Sequence, residues 1–257
     1  MRIVMLLEGR KAIIAGATSE IGWETARVFA KHGAALGLIA RRRGLLRRLA
    51  SEIRAHGVEA IPLPADLTKP GEAERAVKTA AQKLGGLDTL VCYVGAKLDP
   101  AIWYRSIDKT SPETIRGILA ADFFSALNLV QAATPLMSRR GGVMIFTSST
   151  PALTWYRYGA AYSLAKLTVI GMMKAIAAEY DRLQIRAYVL ALGNIKTRAT
   201  YGRLKPSEKR RLAQESPMKR WGEPREVANV ALALASDLFS YVNGQVIVID
   251  GGTVMLT

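Results

Sequence analysis

The sequence predicts an α/β fold: one doubly wound, parallel sheet of about seven strands with helices on both faces. Seven short segments are almost continuously apolar and end at turn residues, and longer segments with helical spacing lie between most of them. A strand that does not alternate apolar and polar residues is buried on both faces, which is typical of a parallel sheet. The alternation of strands and helices then implies right-handed crossovers.

The predicted strands are, in chain order, KAIIAG, ALGLIA, VEAIPL, LDTLVCYVG, GVMIFTS, RAYVLAL and QVIVID. The predicted helices cover residues 21–32, 43–56, 71–85, 112–139, 159–183 and 224–236. In such sheets, ligands bind beyond the carboxyl ends of the strands. We therefore expect the chemistry in the loops that follow the first, second, fourth and fifth strands.

Residues 194–223, here called the lid segment, have no strand pattern. We expect them to cover a substrate pocket, and a surface insertion without a function is the alternative. The chain has 257 residues, half of them apolar, and no internal repeat or long linker. One domain over residues 1–257 is the simpler prediction.

Composition narrows the function classes. Cys92 is the only cysteine, so no internal disulfide forms and no metal site is expected. The N-terminal apolar run stops at Glu8, which is too early for a signal peptide. We expect no apolar stretch to approach the length of a membrane span. We therefore expect a cytoplasmic protein without a membrane partner.

The net charge of +15 suits a nucleic acid, an anionic surface or a phosphorylated ligand. The densest basic run is RRRGLLRR at residues 41–48. Its plain interpretation is a solvated helix face. No nucleic-acid recognition motif accompanies it, so no nucleic-acid partner is expected, although salt-sensitive DNA binding would reopen that interpretation.

The turn AGATSEIG, residues 15–22, joins the first strand to the first helix. Gly16 permits a tight bend, Gly22 is expected to let the helix pack closely on the sheet, and backbone amides at the helix start can receive a pyrophosphate. The spacing is not G-x-G-x-x-G, so the dinucleotide fingerprint is not met. A plain strand-turn-helix explains the two glycines nearly as well.

Arginine follows the second strand, which ends at Ala40 without an acidic residue. Arg41 is placed to pair with a 2′-phosphate, which favours NADP(H) and leaves NAD(H) as the second cofactor. Asp66, after the third strand, is a candidate acceptor for the adenine amino group. Its alternative is a capping or turn aspartate.

The segment YSLAK places Tyr162 and Lys166 four residues apart on one face of a predicted helix. An ammonium group stabilises a nearby phenolate, so we expect Lys166 to lower the pKa of Tyr162. Such a tyrosine donates a proton to a carbonyl oxygen or removes one from an alcohol. Ser149, at the end of the fifth strand, is placed to hydrogen-bond the same oxygen.

The order of these motifs resembles the short-chain dehydrogenase/reductase family over about residues 8–253. The most specific parts are Ser149 thirteen positions before Tyr162, the segment AAYSLAK and the C-terminal WGEPREVANVALALASDLFSYVNGQVIVIDGG. The resemblance implies a Rossmann-like fold and hydride transfer between a nicotinamide and a carbonyl or secondary alcohol. It also implies Tyr162 as acid/base, Lys166 as its activator that holds the nicotinamide ribose, and a homotetramer, with a homodimer as the alternative.

The resemblance assigns the remaining site residues. The implied cofactor-binding residues, besides Tyr162 and Lys166, are Gly16, Thr18, Ser19, Glu20, Ile21, Gly22, Arg41, Arg42, Asp66, Leu67, Gly95, Gly193, Ile195 and Thr197. The implied substrate-binding residues are Ser149, Trp155, Tyr156 and Tyr162. The aromatic ones suggest an apolar or ring-bearing substrate, or equally a packed interface.

Several positions depart from the family pattern. Glu20 stands at a position where the family has glycine. The segment CYVG at residues 92–95 stands where the family has N-N-A-G, so Cys92 and Tyr93 replace two paired amides. Leu192 replaces a proline before Gly193. Asp122 replaces the asparagine that holds a water in a proton relay. An ionised aspartate accepts hydrogen bonds but donates none, and it attracts Lys166. We expect the Glu20 side chain to point away from the cofactor.

These departures leave a second function class open. A dinucleotide-binding protein without catalysis, which senses cofactor, fits the changes at Glu20, Cys92, Tyr93 and Asp122. The joint presence of Ser149, Tyr162 and Lys166 favours an enzyme.

Overall fold

The computed structural model of the protein describes residues 5–97, 99–137 and 141–255. Seven parallel strands form one sheet in the order β3-β2-β1-β4-β5-β6-β7. They are β1 Lys11–Ala15, β2 Ala35–Ala40, β3 Ala60–Pro64, β4 Thr89–Cys92, β5 Gly142–Ser149, β6 Ile185–Leu192 and β7 Gln245–Ile249. The predicted sheet is confirmed, and its strand order reverses between β1 and β4.

Helices cover both faces of the sheet. They are α1 Glu20–Lys31, α2 Arg43–Arg54, α3 Pro70–Leu84, α4 Pro100–Trp103, α5 Pro112–Leu119, α6 Ser125–Ala133, α7 Pro151–Thr154, α8 Ala160–Glu179, α9 Pro206–Gln214 and α10 Pro224–Ala235. Helices α1, α2 and α10 share one buried apolar core with the sheet, and α3, α6 and α8 share the other. The short helices α4, α7 and α9 have no counterpart in the sequence prediction.

The helix predicted over residues 112–139 is interrupted. After α5, the five residues Ala120–Phe124 form a π-helical turn before α6 begins. The Ala120 carbonyl accepts from both the backbone N–H and the hydroxyl of Ser125, the latter at 3.0 Å. Residues 134–136 continue as a 3₁₀ turn, and residues 138 and 139 of the predicted helix lie outside the described residues. Such π turns interrupt helices mostly at functional sites, and this one carries Asp122.

Two helical stretches are long and apolar enough to pass a composition test for membrane spans: Pro112–Leu136 and Ala160–Glu179, with mean hydropathies of 1.2 and 1.3. The expectation that no stretch approaches this length is therefore wrong. Half of each tested window is buried within the fold, because α6 packs on α3 and α8 packs on β5 and β6. Core helices of soluble proteins pass the same test, so this is weak evidence for a membrane span, and the absence of a membrane partner stays a prediction.

The lid segment is anchored at both ends. Ile195 and Gly222 form a parallel bridge, with the Lys196 N–H donating to the Gly222 carbonyl at 2.8 Å. Further along, the Ser216 hydroxyl donates to the Gly251 carbonyl at 2.9 Å, in the turn that follows β7. The last strand and its turn therefore hold the base of the lid segment.

Candidate active site

Tyr162 and Lys166 lie on one face of α8, as predicted from their spacing. The Lys166 Nζ is 5.7 Å from the centroid of the Tyr162 ring. The lysine is buried, whereas Tyr162 is half-buried. The α8 helix therefore presents a phenol at the edge of the core with a buried ammonium group beside its ring.

Asp122 forms a buried ion pair with Lys166. Its Oδ1 faces the Lys166 Nζ, its Oδ2 accepts from the Ala96 N–H at 2.8 Å, and the Asp122 side chain has no exposed surface. The Lys166 Nζ also donates to the Thr147 carbonyl at 3.3 Å. Burial is the largest single influence and lowers the pKa of Lys166, but the charge and hydrogen bond of Asp122, together with Tyr162 and Cys92, outweigh it, and the net pKa is raised. The lysine is thus held charged and fixed between α5–α6 and β5.

Gly95 is required by this ion pair. A Cβ at position 95 would lie 2.8 Å from the Asp122 Oδ1 and 3.0 Å from the Lys166 Nζ. A larger residue at position 95 would therefore displace the paired ends of these two side chains. The Gly95 of the predicted cofactor site therefore also closes over the Asp122–Lys166 pair.

Ser149 ends β5 with its hydroxyl turned toward the neighbouring strand. Its Oγ donates to the Leu192 carbonyl at 3.1 Å, so the hydroxyl must rotate before it can donate to a substrate oxygen. The preceding Ser148 donates to the Lys166 carbonyl at 2.9 Å. This bond fixes α8 against the end of β5, next to the predicted substrate serine.

The first turn has the shape of an anion site. Gly16 has φ +77°, and a Cβ there would lie 2.7 Å from the Tyr93 carbonyl oxygen. Ser19 caps α1 by accepting from the Gly22 N–H at 3.0 Å. Within the described part of the chain, no hydrogen bond occupies the N–H groups of Thr18, Glu20 and Ile21. Unpaired amides at a helix start are suited to phosphate.

Gly22 has a different role from the one expected. A Cβ on Gly22 would lie 2.4 Å from the Gly16 carbonyl oxygen and 2.9 Å from the Ala17 Cα. Glycine is therefore needed at position 22 because the turn folds back over the start of α1. The expected contact between the helix and the sheet does not require it.

Glu20 turns toward the lid segment. Its Oε2 accepts from the Arg198 N–H at 2.6 Å, and its Oε1 lies 3.6 Å from the Arg198 Nε. The carboxylate is thereby directed to Arg198 and away from the amides of its own turn, in line with the expectation from sequence.

The two arginines after β2 are both exposed but differ in their contacts. Arg42 donates to the Thr18 carbonyl at 2.5 Å and to its hydroxyl at 3.1 Å, so it braces the first turn. Arg41 lies close enough to Asp66 to contribute to its lowered pKa. The assignment of Arg41 to a ribose phosphate stays a prediction.

Asp66 acts as a turn residue. Its Oδ1 accepts from the Thr68 N–H at 3.1 Å and from the Thr68 hydroxyl at 2.8 Å, and these bonds are the main cause of its lowered pKa. The carbonyl of the buried Leu67 accepts from the Asn128 Nδ2 at 2.9 Å. Asp66 therefore has the turn role that was its alternative. Its Oδ2 takes no part in these bonds, and acceptance from an adenine amino group stays a prediction.

The residues after β6 face the C-terminal turn. The Gly193 N–H donates to the Ile249 carbonyl at 3.0 Å, and a Cβ on Gly193 would lie 2.5 Å from that of Asp250. Ile195 is buried, and the Thr197 hydroxyl shares a 2.9 Å hydrogen bond with that of Thr200. The lid segment thus leaves the sheet with little freedom at its first residues.

The predicted aromatic residues lie in the loop before α8. Trp155 has φ +55° and is half exposed, and the Tyr156 hydroxyl is 3.1 Å from that of Thr150. The residue missed from the sequence is Trp103 in α4, whose ring centroid is 5.8 Å from that of Tyr162. A Cβ on Gly159 would lie 2.5 Å from the Trp103 ring, so Gly159 makes room for it.

A cavity adjoins Tyr162 at this point. Its lining is mostly apolar and includes Ala96, Ile102, Trp103, Ile118 and Tyr162. The signal for Trp103 in the sequence was the pair Asp99-Pro100. Asp99 caps α4 by accepting from the Ala101 N–H at 2.9 Å, and this capping starts the short helix that carries the indole.

Cys92 and Tyr93 support the central strands by contacts other than paired amides. The Cys92 carbonyl accepts from the Thr147 hydroxyl at 3.0 Å, which ties β4 to β5. The Tyr93 hydroxyl bonds to that of Thr25 at 3.0 Å, which ties β4 to α1. Burial raises the pKa of the Cys92 thiol to about 11 and also raises that of Tyr93.

Metal ligands do not cluster in residues 5–97, 99–137 and 141–255: no group of three or more His, Cys, Asp or Glu side chains is assembled there. The absence of a metal stays a prediction. By contrast, the free amides and positive φ of the first turn fit a dinucleotide phosphate.

Comparisons with known proteins bear on the family and the fold. A family model described as enoyl-(acyl carrier protein) reductase matches residues 16–254. The chain is 34% identical over 257 residues to the A-factor type gamma-butyrolactone 1'-reductase (1S-forming) of Streptomyces virginiae, which covers 98% of each chain.

Two solved structures have the same fold. One is a 7α-hydroxysteroid dehydrogenase complexed with NADH and 7-oxo glycochenodeoxycholic acid, with TM-score 0.89 and 28% identity over 96% of this chain and 95% of that chain. The other is the L-sorbose reductase of Gluconobacter frateurii complexed with NADPH and L-sorbose, with TM-score 0.89 and 26% identity over 99% and 100%.

Proposed function

The chain belongs to the short-chain dehydrogenase/reductase family of oxidoreductases, and on this premise we propose that it transfers hydride between NADP(H) and a carbonyl or secondary alcohol. The observation that carries the proposal is the arrangement of Tyr162 and Lys166 on one face of α8, beside an apolar cavity that the Tyr162 ring lines. An acid/base at the wall of a small, mostly apolar pocket is what such a reaction needs.

The bound nicotinamide supplies the hydride in reduction or accepts it in oxidation. Tyr162 gives a proton to the carbonyl oxygen in reduction and takes one from the hydroxyl in oxidation. Lys166 keeps a positive charge beside the phenol, and Asp122 maintains that charge by raising the pKa of Lys166. The same ammonium group is proposed to hold the nicotinamide ribose. Ser149 rotates from the Leu192 carbonyl to orient the substrate oxygen.

The test is turnover of a carbonyl panel with NADPH. Tyr162→Phe should lower kcat by at least about a hundredfold, because general acid catalysis contributes about 10² to 10⁴. Tyr241→Phe is the matched control, since Tyr241 is fully exposed, and it should keep wild-type turnover. A wild type that binds NADPH but reduces no carbonyl would favour the cofactor-sensing alternative.

The proposed preference for NADP(H) is supported by exposed Arg41 and by the absence of an acidic residue at the end of β2. In a thermal shift assay, NADP⁺ should stabilise the protein more than NAD⁺ does. Arg41→Ala should weaken NADP⁺ binding about tenfold with little effect on NAD⁺, because a charge-assisted bond is lost. Arg43→Ala removes a neighbouring exposed arginine and should change neither; equal losses in both variants would refute the assignment.

We also propose a homotetramer, with a homodimer as the alternative. Phe124, Leu164 and Leu167 are exposed apolar side chains on the π turn and α8. The family resemblance implies that the helices around 112–139 and 159–183 pair between subunits. Light scattering should give the mass of an oligomer, and Leu167→Glu should dissociate it. A cytoplasmic location and the absence of a nucleic-acid partner remain predictions, the first consistent with a single, buried cysteine.

A further inference from the structure

Glu20 joins two segments that are 178 positions apart in sequence. One carboxylate oxygen accepts from the Arg198 N–H at 2.6 Å, and the other lies 3.6 Å from the Arg198 Nε. The backbone contact is the stronger part, because a hydrogen bond to an ionised acceptor is short and strong. The guanidinium is 95% exposed, and solvent weakens its contribution.

The contact spans the crevice of the sheet. Glu20 follows β1 and Arg198 follows β6, and β4 and β5 lie between these two strands. Three strand spacings amount to about 14 Å. The Glu20–Arg198 contact therefore passes over the carboxyl ends of β4 and β5, where the Lys166 ammonium group is held. A dinucleotide that extends from the first turn toward Tyr162 lies in this crevice.

Other groups of the lid segment are directed elsewhere. Lys196 pairs with Glu223 at 2.9 Å, and the Thr197 hydroxyl bonds to that of Thr200. Among the hydrogen bonds and ion pairs of the described residues, Glu20–Arg198 is the contact that joins the lid segment to the first turn. The turn after β7 holds one side of the lid segment through Ser216, and the Glu20–Arg198 contact holds its other side to the first turn.

We propose that Glu20 is a positioning residue that straps the lid segment across the cofactor crevice, so that the dinucleotide enters and leaves only while the strap is open. The proposal rests on the proposed binding of a dinucleotide at the first turn. It assigns a role to the carboxylate that replaces the family glycine: Glu20 controls exchange of the cofactor and does not contact its phosphates.

The first experiment needs no cofactor. Hydrogen exchange of the Arg198 amide is measured in the free protein for the wild type, Glu20→Ala, Glu20→Gln and Glu74→Ala. Glu20→Ala should raise the exchange rate about tenfold, since the amide loses a charge-assisted bond. The exchange rate in Glu20→Gln should lie between those of the wild type and Glu20→Ala, because glutamine keeps an acceptor. Glu74, whose exposed pair with Lys78 lies on α3, is the control. An unchanged Arg198 amide in Glu20→Ala overturns the strap.

The second experiment follows NADPH by stopped-flow fluorescence. Glu20→Ala should raise the association and dissociation rate constants together, each about tenfold, and leave Kd within about threefold. Arg198→Ala keeps the backbone N–H and should change both rates less than about threefold. Tighter binding with slower dissociation would mean that Glu20 repels the phosphates, and would overturn the strap.

The two experiments separate the strap from the proposed function. A wild type that binds no nicotinamide dinucleotide would refute the function, and the amide exchange in the free protein would still decide whether Glu20 closes the lid segment.

Discussion

Replacing Asp122 by asparagine tests the buried ion pair directly. The substitution keeps an oxygen for the Ala96 N–H but leaves Lys166 charged, with a side chain 6% exposed and without its counter-ion. Breaking a buried pair by removing one partner costs about 3–5 kcal/mol. Because the amide oxygen still faces the ammonium group, we expect the lower value, about 3 kcal/mol.

For a chain of this size, about 3 kcal/mol corresponds to a fall in Tm of about 6–12 °C. The protein should remain folded at room temperature, since that cost is smaller than the stability of an ordinary domain. Circular dichroism of Asp122→Asn, followed during heating, measures the fall. Glu113→Gln removes one carboxylate of the exposed pair with Arg116 and should change Tm by no more than about 1–2 °C.

The effect depends on pH in a defined direction. In the wild type the pKa of Lys166 is raised, so the stabilisation from pairing is complete below the ordinary lysine pKa of 10.5 and is lost as pH rises through the raised value. In Asp122→Asn, burial remains and lowers the pKa of Lys166, so the amine loses its proton at a lower pH. The penalty of an unpaired charge then disappears, and the Tm difference should narrow toward alkaline pH. The pH–rate profile should shift in the same variant.

Two results would refute this reasoning. One is a Tm for Asp122→Asn within about 2 °C of the wild type near pH 7, which would mean that the pair is not desolvated. The other is a double variant Asp122→Asn/Lys166→Met that is no more stable than Asp122→Asn, because removing both charges should recover most of the loss. An unchanged pH–rate profile would place Asp122 outside the proton relay.

Three further predictions concern single groups. The native Cys92 thiol should react with iodoacetamide at least about a hundredfold more slowly than in the unfolded chain, because burial raises its pKa from 9.0 to about 11; fast labelling in a folded sample would contradict its burial. Gly95→Ala should lower kcat at least about tenfold and cost about 1–3 kcal/mol in chemical denaturation, since its Cβ would displace the ion pair. Pairing with Arg220 lowers the pKa of Glu226 to about 2, so its stabilisation is present above 4.5 and is lost as pH falls toward 2. Arg220→Ala should move acid unfolding to a higher pH. The loss in the free energy of unfolding should be less than about 1 kcal/mol, since the pair is nearly half exposed.

The strands and the main helices were predictable because burial on both faces leaves a continuous apolar pattern. The π turn at Ala120–Phe124 was not, since its sequence is as helical as its surroundings and only the bond from Ser125 to Ala120 reveals the wider turn. Helix α9 was missed because its residues are polar and its helix is stabilised by capping, with no apolar face to detect.

The candidate site was likewise predictable only in part. Tyr162 and Lys166 were placed together by local spacing, which a helix translates directly into proximity. Trp103 was missed because its contact with Tyr162 depends on Gly159, 56 positions away, and no local pattern encodes it. The attraction of Asp122 for Lys166 was anticipated from charge, whereas the partner of Glu20 lies on the far side of the sheet and was beyond sequence reasoning.

The turn after β7 has a consequence for how the protein is made. Ile249, the last residue of β7, accepts from the Gly193 N–H just before the lid segment, and Gly251, in the turn, accepts from the Ser216 hydroxyl near the end of that segment. They are translated later than every residue that they hold. While the chain is being synthesised, the sheet through β6, Tyr162 and Lys166 can already be in place, yet the lid segment still lacks its hydrogen bond to Gly251. The cofactor crevice is therefore completed only after β7 has been synthesised, and a nascent chain should bind the dinucleotide poorly until β7 has joined the sheet.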